Sequence, residues 1–86
     1  MNLLYQEIVD ALTPELVESL LYKLGAQEVI KKDSYLITNT ICHNVGDGSM
    51  KLYYYYDTHL FVCYTQCGPQ SPFNFLKHYY ETRDIA

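Results

Sequence analysis

The sequence predicts an α+β domain with N-terminal helices, a small antiparallel sheet and a C-terminal helix. Apolar residues recur at helical spacing before Gly25, their period then shortens towards two, and a second helix-start signal follows at Ser71-Pro72. Because 86 residues are enough for one core only, we expect a single domain over 1–86. Its helical part covers 1–25, and its sheet-containing part covers 26–86.

Local signals mark the ends of the predicted helices. Residues 3–12 carry apolar side chains at helical spacing. The Thr13-Pro14 pair then supplies an N-cap and a first helical residue, and Gly25 can adopt the left-handed conformation that ends a helix. The Ser71-Pro72 pair repeats the first of these signals and predicts a last helix that runs to about Thr82.

Four segments alternate in polarity as strands do. They are 28–32, 35–38, 51–56 and 59–64. Asp57-Thr58 separates the last two, which predicts a hairpin. With a two-residue turn, Leu52 faces Cys63 and Tyr54 faces Phe61. The opposite face of the hairpin then holds Tyr53, Tyr55, Leu60, Val62 and Tyr64.

The composition is acidic and rich in tyrosine. Ten acidic and six basic residues give a net charge of -4, and the basic ones are too scattered to displace counterions from nucleic acid. This balance argues against bulk coating of DNA and favours a basic partner. No apolar run approaches the ~20 residues that span a bilayer, and no basic segment follows Met1. We therefore expect a cytoplasmic protein.

Two cysteine-containing segments form a candidate metal site. Cys42-His43 follows a predicted strand, and three residues separate Cys63 from Cys67, which is a zinc-knuckle spacing. Three thiolates and an imidazole favour one closed, structural Zn²⁺ ion and give the hairpin a zinc-ribbon-like character. A closed site leaves no position for a substrate. No other catalytic arrangement is evident in the sequence, so we expect no catalytic residues and no enzyme.

The fourth ligand and the metal itself both have alternatives. Successive side chains on a strand point to opposite sides, so Cys42 and His43 bind one ion only where the backbone turns. His78 on the last helix is the alternative to His43, and water is another. His59 is expected to be an exposed residue of the hairpin. The cysteines can instead be buried free thiols, or two of them can form an isolated disulfide.

The chain resembles the zinc-binding domain of DnaG-type primases, above all those of phages of Gram-positive bacteria. The resemblance covers about 26–80 and follows the order Cys-His, glycine-containing loop, Lys-Leu-Tyr-Tyr-Tyr hairpin, Cys-Tyr-Thr-Gln-Cys-Gly and Phe-Asn-Phe-Leu helix. It implies Cys42, His43, Cys63 and Cys67 as zinc ligands and a hairpin surface that helps to read single-stranded template. The family has two residues within each ligand pair, whereas this chain has none and three.

The resemblance stops before a catalytic domain could begin, and the sequence carries no acidic polymerase motif. We therefore expect a phage protein in which a primase zinc module inhibits a host nucleic-acid enzyme by protein contact, in the host cytoplasm. The leading example is an anti-CRISPR inhibitor of a type II effector nuclease. The alternative is a primase zinc-binding domain or accessory protein that recognises single-stranded DNA.

Consecutive tyrosines on a strand alternate between its faces, so some of the ten tyrosines must be exposed. Tyr53, Tyr55 and Tyr64 are the candidates to anchor a partner protein, because tyrosine offers a large contact area at low entropy cost. Ordinary cross-strand packing is one alternative. Stacking on single-stranded bases is another, and it also needs a positive groove.

Overall fold

The computed structural model describes residues 3–42, 49–65 and 67–82, in which three helices cover one face of a five-stranded antiparallel sheet. The predicted α+β class and the order of helices and sheet are confirmed. Each strand pairs with the next one in the chain. The elements are α1 (Leu3–Asp10), α2 (Pro14–Lys23), β1 (Val29–Lys31), β2 (Tyr35–Thr38), β3 (Leu52–Tyr55), β4 (Leu60–Cys63), β5 (Gly68–Gln70) and α3 (Pro72–Thr82).

The helices begin at the predicted residues, and α2 and α3 end within one residue of the predicted ends, because the local signals are satisfied. The first helix ends at Asp10, two residues earlier than predicted. The Thr13 hydroxyl accepts a 3.1 Å hydrogen bond from the Leu16 amide at the start of α2. Gly25 follows this helix with a φ of +108°, which disfavours any residue with a side chain. At α3, Ser71 Oγ accepts a 3.3 Å hydrogen bond from the Asn74 amide. Of the described helices, none has the length and hydropathy needed to cross a membrane.

The hairpin of β3 and β4 has the predicted register. Leu52 lies opposite Cys63, and Tyr54 lies opposite Phe61. Both pairs point towards the helices and are buried. Their neighbours on the same strands therefore point to the other side of the sheet, because side chains alternate along a strand.

The turn of this hairpin is wider than predicted. The strands stop at Tyr55 and Leu60, so four residues lie between them instead of two. A two-residue turn of the favoured type needs a positive φ at both central positions. Asp57-Thr58 is poorly suited to that, and the wider turn needs a positive φ only at His59, where it is 60°. His59 is also half-buried, contrary to its expected exposure, because its Nδ1 is hydrogen-bonded to the Tyr54 hydroxyl at 2.7 Å.

The sequence did not predict β5. Its Gly68-Pro69 start is typical of a turn, and Gly68 does have a left-handed φ of +71°. Gly68 nevertheless pairs with Cys63, and Pro69 pairs with Val62. Proline is tolerated there because β5 is the edge strand, where its missing amide removes no inner hydrogen bond.

The core lies between the sheet and the helices. Phe75 of α3 is fully buried and stacks on Phe61, with ring centroids 4.2 Å apart and planes at 11°. Val17 and Leu21 bring α2 into the same core. Among the described residues, the three helices thus lie on one side of the sheet and no helix covers the other side.

Candidate metal centre and tyrosine face

Three cysteines from two segments that are distant in sequence converge at one end of the sheet. Cys42 lies in a turn after β2, Cys63 ends β4 and Cys67 lies in the turn before β5. Their Sγ atoms all lie within 4.8 Å of one another. Cys42 and Cys63 are buried, and Cys67 is half-buried. The structure therefore brings together three of the predicted ligands, and His43 lies outside the described residues.

The backbone explains why Cys42 reaches this cluster. Beyond β2 the chain turns, with the Ile41 amide donating a 2.9 Å hydrogen bond to the Asn39 oxygen. Ile41 itself is buried, which holds the turn against the core. On the other side, the pairing of Cys63 with Gly68 closes the loop that carries Cys67. The turn that Cys42 and His43 would need to bind one ion is thus present at Cys42.

The spacing of the sulfurs fits one bound ion. Cys67 Sγ lies 3.4 Å from Cys42 Sγ, which is far longer than the ~2.05 Å of a disulfide bond. Among the described residues, these three cysteines form no disulfide bond. Two thiolates on one tetrahedral Zn²⁺ with bonds of about 2.3 Å lie about 3.8 Å apart. This pair needs to separate by only about 0.4 Å to bind one such ion. Because all three sulfurs cluster, these three cysteines can bind a metal.

Burial raises the pKa of two of these thiols, those of Cys42 and Cys67, and so favours their protonated form. The pKa of Cys42 is raised above its ordinary value, first by burial and then by hydrogen bonds with Cys67 and Cys63. Burial also raises the pKa of Cys67, although its hydrogen bond to Cys42 acts in the opposite direction. Since a metal binds the thiolate, its binding releases these protons. Occupancy therefore increases with pH and decreases in acid.

Two further side chains contact the sulfurs. Nε2 of His78, on α3, lies 3.3 Å from Cys67 Sγ, so the alternative to His43 contacts one cysteine of the cluster. The Thr65 hydroxyl lies 3.2 Å from Cys63 Sγ. Thr65 was not among the predicted site residues, although its place between the two knuckle cysteines is a signal for a hydroxyl that can donate to a thiolate.

A second feature is the tyrosine face, which we define as Tyr35, Tyr53, Tyr55 and Tyr64 on the open side of the sheet. The rings of Tyr53 and Tyr64 meet edge to face at 5.0 Å. The hydroxyls of Tyr55 and Tyr64 are hydrogen-bonded at 2.7 Å, which raises the pKa of Tyr55 to about 12. The three predicted partner-binding tyrosines are thus neighbours. Tyr35 was missed, because its 5.5 Å stacking on Tyr53 depends on the pairing of β2 with β3.

The tyrosine face carries an open depression of about 290 Å³. Among the described residues it is lined by Lys51, Tyr53, Tyr55 and Tyr64. Lys51 is exposed and is the charged member of this set. Tyr64 is 57% exposed, which leaves its ring available to a ligand. The depression therefore combines aromatic surface with one positive charge.

No family model matches the chain, and no solved structure matches it. The chain is 39% identical over 62 residues to the SPbeta prophage-derived uncharacterized protein YorJ of Bacillus subtilis (strain 168). This match covers 71% of the chain but only 16% of that protein, so the chain corresponds to a small part of its relative. The similarity suggests a phage origin. It places the chain in neither a primase family nor an anti-CRISPR family.

Proposed function

We propose that this chain is a non-catalytic binding domain of phage origin, stabilised by one zinc ion, that takes single-stranded DNA on its tyrosine face. The observation that carries the proposal is the depression lined by Lys51, Tyr53, Tyr55 and Tyr64. Aromatic rings beside a cation suit single-stranded nucleic acid, because bases stack on the rings while the cation meets the phosphates. The resemblance to the zinc-binding domain of primases supports the same function.

The ion has a structural role in this proposal. Cys42, Cys63 and Cys67 would hold it, and soft thiolates in a small domain favour Zn²⁺. The ion would supply no chemistry beyond fixing the turn after β2 to the end of β4. Since Tyr64 directly follows Cys63, the same cross-link keeps the tyrosine face rigid.

The distribution of charge supports a nucleic-acid ligand more than the net charge of -4 does. Five of the ten acidic residues lie on the helices, on the side of the sheet away from the tyrosine face: Glu7, Asp10, Glu15, Glu18 and Glu81. Two of them pair with Lys31, whose Nζ lies 3.1 Å from Glu18 and 3.8 Å from Glu15. Lys51 is therefore exposed to solvent on the side of the sheet opposite these carboxylates.

The test is a titration of a fluorescent 12-nucleotide single-stranded DNA with the zinc-loaded chain, followed by anisotropy. Loss of one stacking ring costs about 1–3 kcal/mol, so Tyr64→Ala should weaken binding by roughly 5- to 150-fold. Tyr80→Ala is the matched control, because Tyr80 is 42% exposed but lies on α3. No binding by the parent chain at low salt, or equal losses in both variants, would refute the proposal.

The second candidate is an inhibitor that binds a type II CRISPR effector nuclease. The acidic helical side favours it, because a nucleic-acid channel is basic. This side also exposes Leu16 and Phe73, at 51% and 42%, which are apolar anchors for a protein contact. A DNA-cleavage assay with several such nucleases, with guide and target, tests this candidate. Cleavage that is unchanged by a large excess of the chain would exclude it.

A further inference from the structure

We propose that His78 is the fourth ligand of the metal centre and that the ion thereby fastens α3 to the sheet. The inference rests on the metal-stabilised domain proposed above and goes beyond it by assigning the remaining ligand and a mechanical role for it. Ligand sets that combine sulfur and imidazole are typical of closed structural Zn²⁺ sites.

Two distances from the Cys67 sulfur support this assignment. Cys67 Sγ lies 3.3 Å from His78 Nε2 and 3.4 Å from Cys42 Sγ. Bonds of about 2.3 Å to sulfur and 2.0–2.1 Å to nitrogen place two such ligands about 3.5 Å apart on one tetrahedral ion. The imidazole nitrogen thus lies at ligand-to-ligand separation from Cys67 Sγ. It lies outside the group of three sulfurs that are all within 4.8 Å of one another, so one shared ion requires the imidazole and the other two sulfurs to draw together.

The packing of α3 holds His78 in this position. Phe75, one helical turn earlier, is fully buried and stacks on Phe61. Tyr79, the next residue, is buried and hydrogen-bonded to the Leu24 oxygen at 2.6 Å. Both neighbours fix the rotation of the helix about its axis, which holds the imidazole beside Cys67 and limits the conformational entropy that its side chain has left to lose.

The consequence is a cross-link among four parts of the fold. The turn after β2, the end of β4, the turn before β5 and α3 would share one ion. Apolar packing such as that of Phe75 on Phe61 also joins this helix to the sheet, and such packing is modest in a chain of 86 residues. Loss of the ion should therefore loosen α3 as well as the cysteine turns.

X-ray absorption at the zinc edge tests the ligand set of the zinc-loaded full chain. We expect three sulfurs and one imidazole in the parent chain and in His43→Ala, and loss of the imidazole signal in His78→Ala. The zinc affinity of His78→Ala should fall by more than the roughly 10- to 100-fold that loss of an outer-shell partner costs. An imidazole signal that survives in His78→Ala, or that is absent from the parent chain, would overturn the assignment.

A gain-of-signal variant covers the case in which His78→Ala fails to fold. His78→Cys should bind Co²⁺ with four thiolates and show a thiolate-to-cobalt absorption about one third stronger than that of the parent chain. Unchanged intensity would count against the assignment. The experiments also distinguish the two proposals. A chain that binds no zinc refutes both the metal centre and the role of His78, whereas a chain that binds zinc but no DNA refutes only the proposed DNA ligand.

Discussion

The Tyr79 hydroxyl donates a 2.6 Å hydrogen bond to the backbone oxygen of Leu24, the residue that caps the C-terminal end of α2. Both residues are buried, at 8% exposure each. The bond spans 55 positions and ties the last helix to the second. A helix end has carbonyl oxygens without partners in the helix, and here a side chain from another element satisfies one of them.

Tyr79→Phe should destabilise the fold without changing its core, because it removes the hydroxyl and keeps the ring. A net hydrogen bond contributes about 0.5–1.5 kcal/mol, and about 1 kcal/mol shifts the melting temperature of a domain this size by roughly 4–8 °C. Thermal unfolding followed by circular dichroism measures the shift. Tyr80→Phe is the control, since Tyr80 is exposed. Equal melting temperatures for the two variants would contradict this role of the bond.

Removal of the metal should cost more than any single hydrogen bond. Cys63→Ser and Cys67→Ser should each lose bound zinc and melt well below the parent chain, because metal binding in small domains is coupled to folding. A chelator added to the parent chain should lower its melting temperature in the same way. Ser19→Ala, at an exposed position of α2, should change neither zinc content nor melting temperature. A metal-free chain that stays fully folded would be the contrary result.

Tyr54 should make the fold sensitive to alkali. Burial raises the pKa of Tyr54 to about 12, whereas an unfolded tyrosine titrates near ~10. The folded state therefore holds the proton more tightly, and its contribution to stability is complete below about pH 10 and is lost as the pH rises towards about 12. Urea unfolding at several pH values should give a free energy of unfolding that falls faster for the parent chain than for Tyr54→Phe. Parallel pH profiles would argue against this effect.

Binding of single-stranded DNA should depend only weakly on salt. The depression is lined by one cation, Lys51, among the described residues, and each phosphate neutralised on a single strand adds about 0.7 to the slope of log affinity against log salt. Lys51→Gln should therefore reduce that slope by about 0.7 and leave the stacking contribution in place. Lys77→Gln on α3 is the control. An unchanged slope in Lys51→Gln would mean that the phosphates lie elsewhere.

Local signals in the sequence were enough for most elements. Thr13, Gly25 and Ser71 act within one helical turn of their own positions, so their effects do not depend on the rest of the fold. The pairing of Tyr54 with Phe61 also followed from the sequence, because alternation and a symmetric turn fix the register of a hairpin. The strand Gly68–Gln70 was not predicted, because its own residues do not favour a strand and it forms by pairing with β4.

The candidate sites also divide into features that the sequence predicts and features that depend on the tertiary structure. The knuckle spacing of Cys63 and Cys67 and the alternation of the tyrosines could be predicted from the chain, since both depend on a single hairpin. The approach of His78 to Cys67 and the stacking of Tyr35 on Tyr53 could not, because they depend on how α3 and β2 pack against that hairpin. Net charge is a sum over residues, so the sequence determined its value of -4. Only the tertiary structure placed the acidic helices on one side of the sheet and Lys51 on the other. The helices bury their apolar faces against one side of the sheet, so their acidic residues lie on that side and Lys51 lies on the opposite side.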